Sequence, residues 1–283
     1  MMGVQPSVDK RRMCPNCRAF ITADDKVCPY CELKLGARAI DLRSPSNVLG
    51  GLIPHARFTT MMILLINAGL FLATVLYSSR ATGRFGLDLD TETLLDFGAK
   101  SGRAIFVYGQ WWRLITAGFL HGGLFHILMN SWVLFDLGVA VEGAYGTSRY
   151  LVIYFISTIT GYLASCWWAP GALSIGASAG IFGLIGAMIA LGVRDRSSQG
   201  TAIRNMYLRW AVYVLLIGLL PIFAIDNAAH IGGGVGGFIV GYLAGTPRFS
   251  RSTEGFWRAA AAVALIVTAL AFAQMFRWLT TQT

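Results

Sequence analysis

The chain reads as a series of seven apolar stretches, each near the ~20 residues that an α-helix needs to cross a bilayer. They lie at 59–77, 124–141, 150–168, 176–193, 208–225, 227–245 and 257–278. Their residues do not alternate with period two and the runs are about twice the length of a barrel strand, so a transmembrane β-barrel does not fit. A soluble fold does not fit either, because 55% of the 283 residues are hydrophobic and only 13% charged, against roughly 25% in a soluble domain. The same figures exclude disorder, collagen and a small disulfide scaffold. The expected fold class is an all-α polytopic membrane protein. No secretory signal peptide is expected, since the first apolar run begins near Thr59, behind a basic segment that carries cysteines.

The net charge of +9 would suit a nucleic-acid binder, but most of it follows from topology. Nine Lys and Arg residues precede the first span. With that end in the cytosol, Arg149, the group Arg194, Arg196, Arg204 and Arg209, and the group Arg248, Arg251 and Arg258 fall on the same side. Only Arg80, Arg84, Lys100, Arg103, Arg113 and Arg277 fall outside. The positive-inside rule therefore predicts a cytosolic N-terminus and an external C-terminus, and nucleic acid is not an expected partner.

Before the first span, Cys14-Pro-Asn-Cys17 and Cys28-Pro-Tyr-Cys31 form two C-x-x-C knuckles. Each can offer two thiolates to one edge of a metal ion, and two such edges complete a tetrahedral Cys₄ site. The alternative is two redox pairs or unrelated thiols. So short a segment has too little apolar material to fold alone, so a bound metal, expected to be Zn²⁺, would supply its stability. A reducing cytosol suits such thiols, and a site with four protein ligands has a structural role. The sequence does not name a partner for this module. Cys166, inside the third span, reads as a small core residue.

Polar residues within spans carry the functional signal, because unsatisfied hydrogen-bonding groups are costly in hydrocarbon. The second span opens with His121-Gly-Gly-Leu-Phe-His126-Ile-Leu-Met-Asn130, the fourth with Gly176-Ala-Ser178-Ala-Gly180, and the sixth with Asp226-Asn-Ala-Ala-His230. All three run in one direction, so their first residues share one side of the membrane. Ser178 lies about 24 Å of helix from Arg194, and His230 about 22 Å from Gly245, which places both at matched depth below the outer face. A serine and a histidine so placed are the minimum for a nucleophile and its base. His126 and Asn130, one turn apart, share a helix face. Gly176 and Gly180, and the stripe Gly233, Gly237 and Gly241, predict close packing of the fourth and sixth spans. Asp136, deep in the second span, is expected to face the bundle and be hydrogen-bonded, and Glu142 to brace the inner end of that helix.

With Trp112-Arg113, His121, His126-x-x-x-Asn130, Gly138-x-x-x-Glu142, Gly176-x-Ser178 and Ala229-His230-x-x-Gly233-x-x-x-Gly237 in this order, the chain resembles the rhomboid family of intramembrane serine proteases over about 57–246. The resemblance implies a six-helix rhomboid-like bundle, here with a seventh C-terminal transmembrane helix and the Cys₄ zinc-ribbon-like module in front. It implies Ser178 as nucleophile and His230 as general base, a dyad with no third acidic member. His126 and Asn130 would stabilise the oxyanion with the Ser178 backbone N–H. Phe182 falls where the family carries an aromatic ring against the catalytic histidine, and Gly176 and His121 are supporting positions. The family usually has glycine after the serine; here Ala179 stands there, and its small size is expected to leave activity intact.

The implied function is hydrolysis of a peptide bond in or next to a transmembrane helix of another membrane protein, with no cofactor for catalysis. The expected domains are 1–45 for the cytosolic zinc-ribbon-like module, 46–58 for a linker, 59–247 for the protease core and 248–283 for the added helix. A bacterial plasma membrane is the expected location. The long loop before the second span is expected to fold as a partly embedded element beside the core, with Trp111-Trp112-Arg113 as an interfacial anchor. Trp210 and Tyr213 mark the fifth span as a side entrance for substrate, by analogy with the family. The rival functions are a catalytically inactive rhomboid-like protein that binds membrane proteins as a chaperone, a transporter, and a zinc-module adaptor on an inert membrane domain. Retention of both Ser178 and His230 speaks against the first, and the lack of several intramembrane charges against the second.

Overall fold

The computed structural model describes residues 11–14, 16–17, 19–22, 25–33, 58–220, 225–246 and 253–282. The expected linker 46–58 lies outside them except for Phe58, as does the expected border at 247–248. The chain divides into two units, Met1–Leu52 and Ile53–Thr283.

In the first unit, strands β1 (Arg11–Met13) and β2 (Phe20–Thr22) pair antiparallel, with Arg12 opposite Ile21. The hairpin carries the first cysteine knuckle in its turn, and Cys14 N–H donates to the Ala19 carbonyl. The buried apolar cluster among the described residues consists of Cys14, Ile21 and Cys28, with Cys31 against it. Three side chains do not make a self-sufficient core.

In the second unit each of the seven expected spans coincides with a helix over most of its length except the fifth, 208–225, whose helix ends at Ile217 and of which 221–224 lie outside the described residues. The helices are α1 (Phe58–Thr82), α5 (Leu124–Tyr145), α6 (Thr147–Trp168), α7 (Ser178–Arg194), α8 (Ser198–Ile217), α9 (Asn227–Ala244) and α10 (Glu254–Gln282). Helices α1, α5, α6 and α10 are long and apolar enough to cross a membrane by length and composition, and α7 is a shorter apolar helix. The first half of α8 is polar, and α9 is rich in glycine around His230. Helix α8 starts ten residues before the apolar stretch that marked it, because the Ser197 side chain accepts from Gly200 N–H and caps a polar first turn.

Between α1 and α5 the chain folds into α2 (Thr91–Asp96), α3 (Gly102–Phe106), α4 (Arg113–Thr116) and a 3₁₀ turn at Ala117–Phe119. Asp90 caps α2, accepting from Thr93 N–H and from the hydroxyls of Thr93 and Ser78, which ties the loop to the end of α1. These donors, the Thr93 N–H foremost, hold its carboxyl below the ordinary carboxylate range.

A single residue, Gly146 at φ +77°, joins α5 to α6, a reversal that a side chain would strain. Beside it, Glu142 is buried and accepts from Thr59 at 2.6 Å and Thr147 at 2.9 Å, bracing the ends of three helices as expected. Helix α7 is apolar on all sides and buried along most of its length, so it forms the axis of the bundle. Helices α6 and α9 flank it. Helix α8 buries only Gly200, and α10 buries mainly alanines while presenting Val263, Leu265, Ile266 and Leu270 outward.

Candidate active site and metal site

Helices α7 and α9 meet backbone to backbone along a repeating four-residue step. A Cβ placed on Gly233 would strike the Ala179 backbone, one on Gly237 the Gly183 backbone, and one on Gly241 the Cα of Ala187. The glycine stripe therefore lets two parallel helices approach without side chains between them, as its spacing predicts. Gly180, expected on the same seam, instead faces Tyr154 and Thr158 of α6. Ala179 takes the seam position, and its methyl group sits where Gly161 of α6 leaves room. The departure from the family's usual glycine is thus accommodated by a glycine across the interface.

The seam puts Ser178, the first residue of α7, beside the first turns of α9. Gly176 precedes it at φ +118°, a conformation that excludes a side chain at low strain. A Cβ there would stand 2.7 Å from His126 Nε2 and 3.7 Å from Ser178 Oγ, so the imidazole and the hydroxyl converge on one spot. This turn is held from outside α7. Gly176 N–H donates to the Ala117 carbonyl at 2.9 Å, and the buried Tyr162 hydroxyl donates to the Gly176 carbonyl at 2.7 Å. Tyr162 was not singled out from the sequence; a tyrosine inside an apolar span, whose hydroxyl must find a partner, is the signal that could have found it.

His230 is buried and stacks on Phe182 with ring centroids 4.1 Å apart and planes 9° from parallel. Its Nδ1 has no hydrogen-bond partner among the described residues. The carboxylate four residues earlier, Asp226, is engaged elsewhere: it accepts from Ala229 N–H at 2.9 Å and from the Ser165 hydroxyl. No hydrogen bond joins Ser178 to His230 here; such bonds are often long in enzymes without substrate. His121 is fully buried and lies edge-on to His126 at 5.1 Å. Asn130 is buried and donates from Nδ2 to the His126 carbonyl at 2.9 Å, with its second N–H remaining for another acceptor.

Two other expectations, for Asp136 and for Arg113, meet the structure differently. Asp136 does not face the bundle: it is exposed on α5, near Tyr207 of α8, and has no hydrogen bond to a described residue. Its position is about 120° around the helix from the buried Asn130, off the face formed by Leu134, Leu137 and Val141. Trp111 is exposed as an interfacial anchor would be, but Arg113 is buried. Its Nη1 donates to the carbonyls of Leu95 at 2.6 Å and Ala99 at 3.0 Å, which makes it the staple of the loop. Burial pulls its guanidinium down to about 10. Cys166 is a buried core residue, as expected, and Trp210 and Tyr213 face outward from α8.

In the first unit the four thiols of Cys14, Cys17, Cys28 and Cys31 lie within 4.8 Å of one another. Cys14 and Cys31 are 3.6 Å apart and Cys17 and Cys28 are 3.7 Å apart. A tetrahedron of sulfurs at ~2.3 Å from a central ion has edges of about 3.8 Å, which these two separations match, so the four residues can hold a metal ion. The Leu33 backbone N–H, then the Asn16 side chain, draws the Cys31 thiol down to about 6, whereas, against the Ala19 backbone N–H, burial and the three neighbouring thiols push Cys17 up to about 12.

Comparison with known proteins places these features. The Rhomboid domain family model matches residues 108–247. The Rhomboid protease GluP of Bacillus subtilis (strain 168) is 38% identical over 194 residues, covering 66% of this chain and 36% of that protein. RHOMBOID-like protein 7 of Arabidopsis thaliana is 37% identical over 156 residues, 54% of this chain and 49% of its own length. Inactive RHOMBOID-like protein 8 of the same plant is 34% identical over 167 residues, 55% of this chain and 47% of its own. The chain thus spans between about a third and a half of the length of these relatives. It is an integral membrane protein, and through the domain at 108–247 it belongs to the rhomboid family.

Proposed function

We propose that the chain is an intramembrane serine endopeptidase that hydrolyses a peptide bond in or next to a transmembrane helix of another membrane protein. The observation that carries this reading is the convergence of Ser178 Oγ and His126 Nε2 on Gly176, beside the ring of His230 stacked on Phe182. Ser178 Oγ attacks the carbonyl carbon while His230 takes its proton. With Asp226 committed to Ser165 and Ala229, the pair works as a dyad. The oxygen of the tetrahedral intermediate is met by His126, by the second N–H of Asn130 and by the Ser178 backbone N–H at the α7 terminus; losing one such donor typically costs about 3–4 kcal/mol. His230 then protonates the leaving amine, and water hydrolyses the acyl-enzyme by the same steps. Phe182 fixes the imidazole plane, Gly176 opens the space the oxyanion needs, and His121 backs His126.

The reading extends to organisation. Residues 1–45 form a zinc-ribbon-like module with structural Zn²⁺ on Cys14, Cys17, Cys28 and Cys31, 46–58 a linker, 59–247 the protease core and 248–283 an added transmembrane helix. The N-terminus is cytosolic and the C-terminus external, in a bacterial plasma membrane. Catalysis needs no cofactor. Similarity to an inactive family member supports a second reading, a rhomboid-like protein that binds membrane proteins without cutting them. Labelling the purified protein with a serine-directed fluorophosphonate, and assaying a labile transmembrane substrate, separates the two. Labelling and cleavage lost in both Ser178→Ala and His230→Ala support the protease; wild-type protein that neither labels nor cleaves overturns it.

A further inference from the structure

Lys100, in the loop between α2 and α3, is fully buried, although a lysine is among the residues least often found so. Its Nζ donates to the carbonyls of Ser165 at 3.3 Å, Ala169 at 2.9 Å and Ala172 at 2.9 Å, acceptors in the last turn of α6 and in the turn that follows it. Its backbone pairs in both directions with Ser174, four residues before Ser178. One residue therefore grips both the end of α6 and the segment that leads to the candidate nucleophile.

The same turn of α6 reaches the other helix. The Ser165 hydroxyl donates to one oxygen of Asp226, whose second oxygen accepts from Ala229 N–H and caps α9. The Asp226 carbonyl then accepts from His230 N–H at 3.1 Å, the first backbone bond of that helix. Three polar residues from three segments remote in sequence form one connected chain between the approach to Ser178 and the start of the His230 helix. Every polar atom of the chain so described has a partner, the condition under which a buried polar network rigidifies its surroundings.

We propose that Lys100, Ser165 and Asp226 form a positioning brace that sets the place of His230 relative to Ser178, with Asp226 its central member. The proposal rests on the protease reading for its consequence in catalysis and on geometry alone for its consequence at the imidazole. Asp226 acts through the α9 cap and the contact to α6; it does not touch the reacting atoms.

The full-length protein in detergent, with ¹⁵N-labelled histidine, tests this in two ways. The sequence holds four histidines, so the His230 imidazole signal is assigned by its loss in His230→Ala. In Asp226→Ala that signal is expected to move or broaden, in Asp226→Asn to stay near its wild-type position because the amide oxygen can still cap, and in Lys100→Met to move as in Asp226→Ala. An unmoved signal in both Asp226→Ala and Lys100→Met overturns the brace, whatever the protein's activity. On a transmembrane substrate, Asp226→Ala is expected to lower kcat by about 10- to 100-fold with KM unchanged, as misplacement of a reacting group does, and Asp226→Asn to recover most of it. Loss confined to KM, or equal loss in Asp226→Asn and Asp226→Ala, also overturns the proposal. Signals that respond as expected in a wild-type protein that never labels or cleaves would leave the brace standing and remove the protease reading alone.

Discussion

The seam between α7 and α9 and the cysteine module reach order by opposite means. At the seam, glycine after glycine faces backbone, so stability comes from close approach over several turns and no single atom is indispensable. In the module, Ile21 and four cysteines have to suffice, so one shared metal ion is expected to carry the fold. Where apolar material is plentiful the chain removes side chains to gain contact; where it is scarce the chain gathers sulfur.

The largest effect is expected from breaking the module. Structural Zn²⁺ sites in small domains bind with about 10–16 kcal/mol, so stripping the metal, or Cys28→Ser, should unfold the hairpin entirely. Amide exchange in 11–33 should rise to the unfolded limit while the helical melting transition stays in place. Deleting residues 1–43 should likewise leave cleavage largely intact, and loss of cleavage would mean that the module takes part in it. Next comes the seam. Gly237→Leu drives a side chain into the Gly183 backbone and should cost about 3 kcal/mol or more in unfolding experiments. Gly234→Ala is the sharpening control: its Cβ would find ordinary contact at 3.6 Å from the Phe182 carbonyl, and it should stay within about 1 kcal/mol of wild type. Glu142→Ala leaves the hydroxyls of Thr59 and Thr147 without their acceptor and should cost about 2 kcal/mol, with the catalytic end unaffected. Smallest of all, Ala179→Gly removes one methyl group beside Gly161 and should cost about 1 kcal/mol, read as a small fall in melting temperature with activity retained.

Much of the bundle was legible because hydropathy over twenty residues is a strong signal, and because glycines at four-residue spacing state which faces approach. Spacing alone did not tell Gly180 from Ala179, since the two positions differ by about 100° of helix and either could have faced α9. Asp136 was legible in principle: the buried positions Asn130, Leu134, Leu137 and Val141 define a face that excludes it. The expectation of an inward carboxylate followed from the cost of burying charge in hydrocarbon, and helix geometry overrode it. Lys100, Arg113 and Tyr162 were not legible as site supports. Each acts on carbonyl groups brought near by the folding of the loop, and backbone acceptors leave no mark in side-chain patterns.

The four-residue step of the glycine seam also restricts how the two helices can move past each other. Sliding α9 along α7 by less than a full turn would force Gly237 off the Gly183 backbone and a bulkier neighbour onto it. The next permitted alignment lies one four-residue step away, about 6 Å. The hydroxyl and the imidazole are therefore indexed like teeth on a ratchet: gradual drift between them is blocked, and only a whole notch would part them.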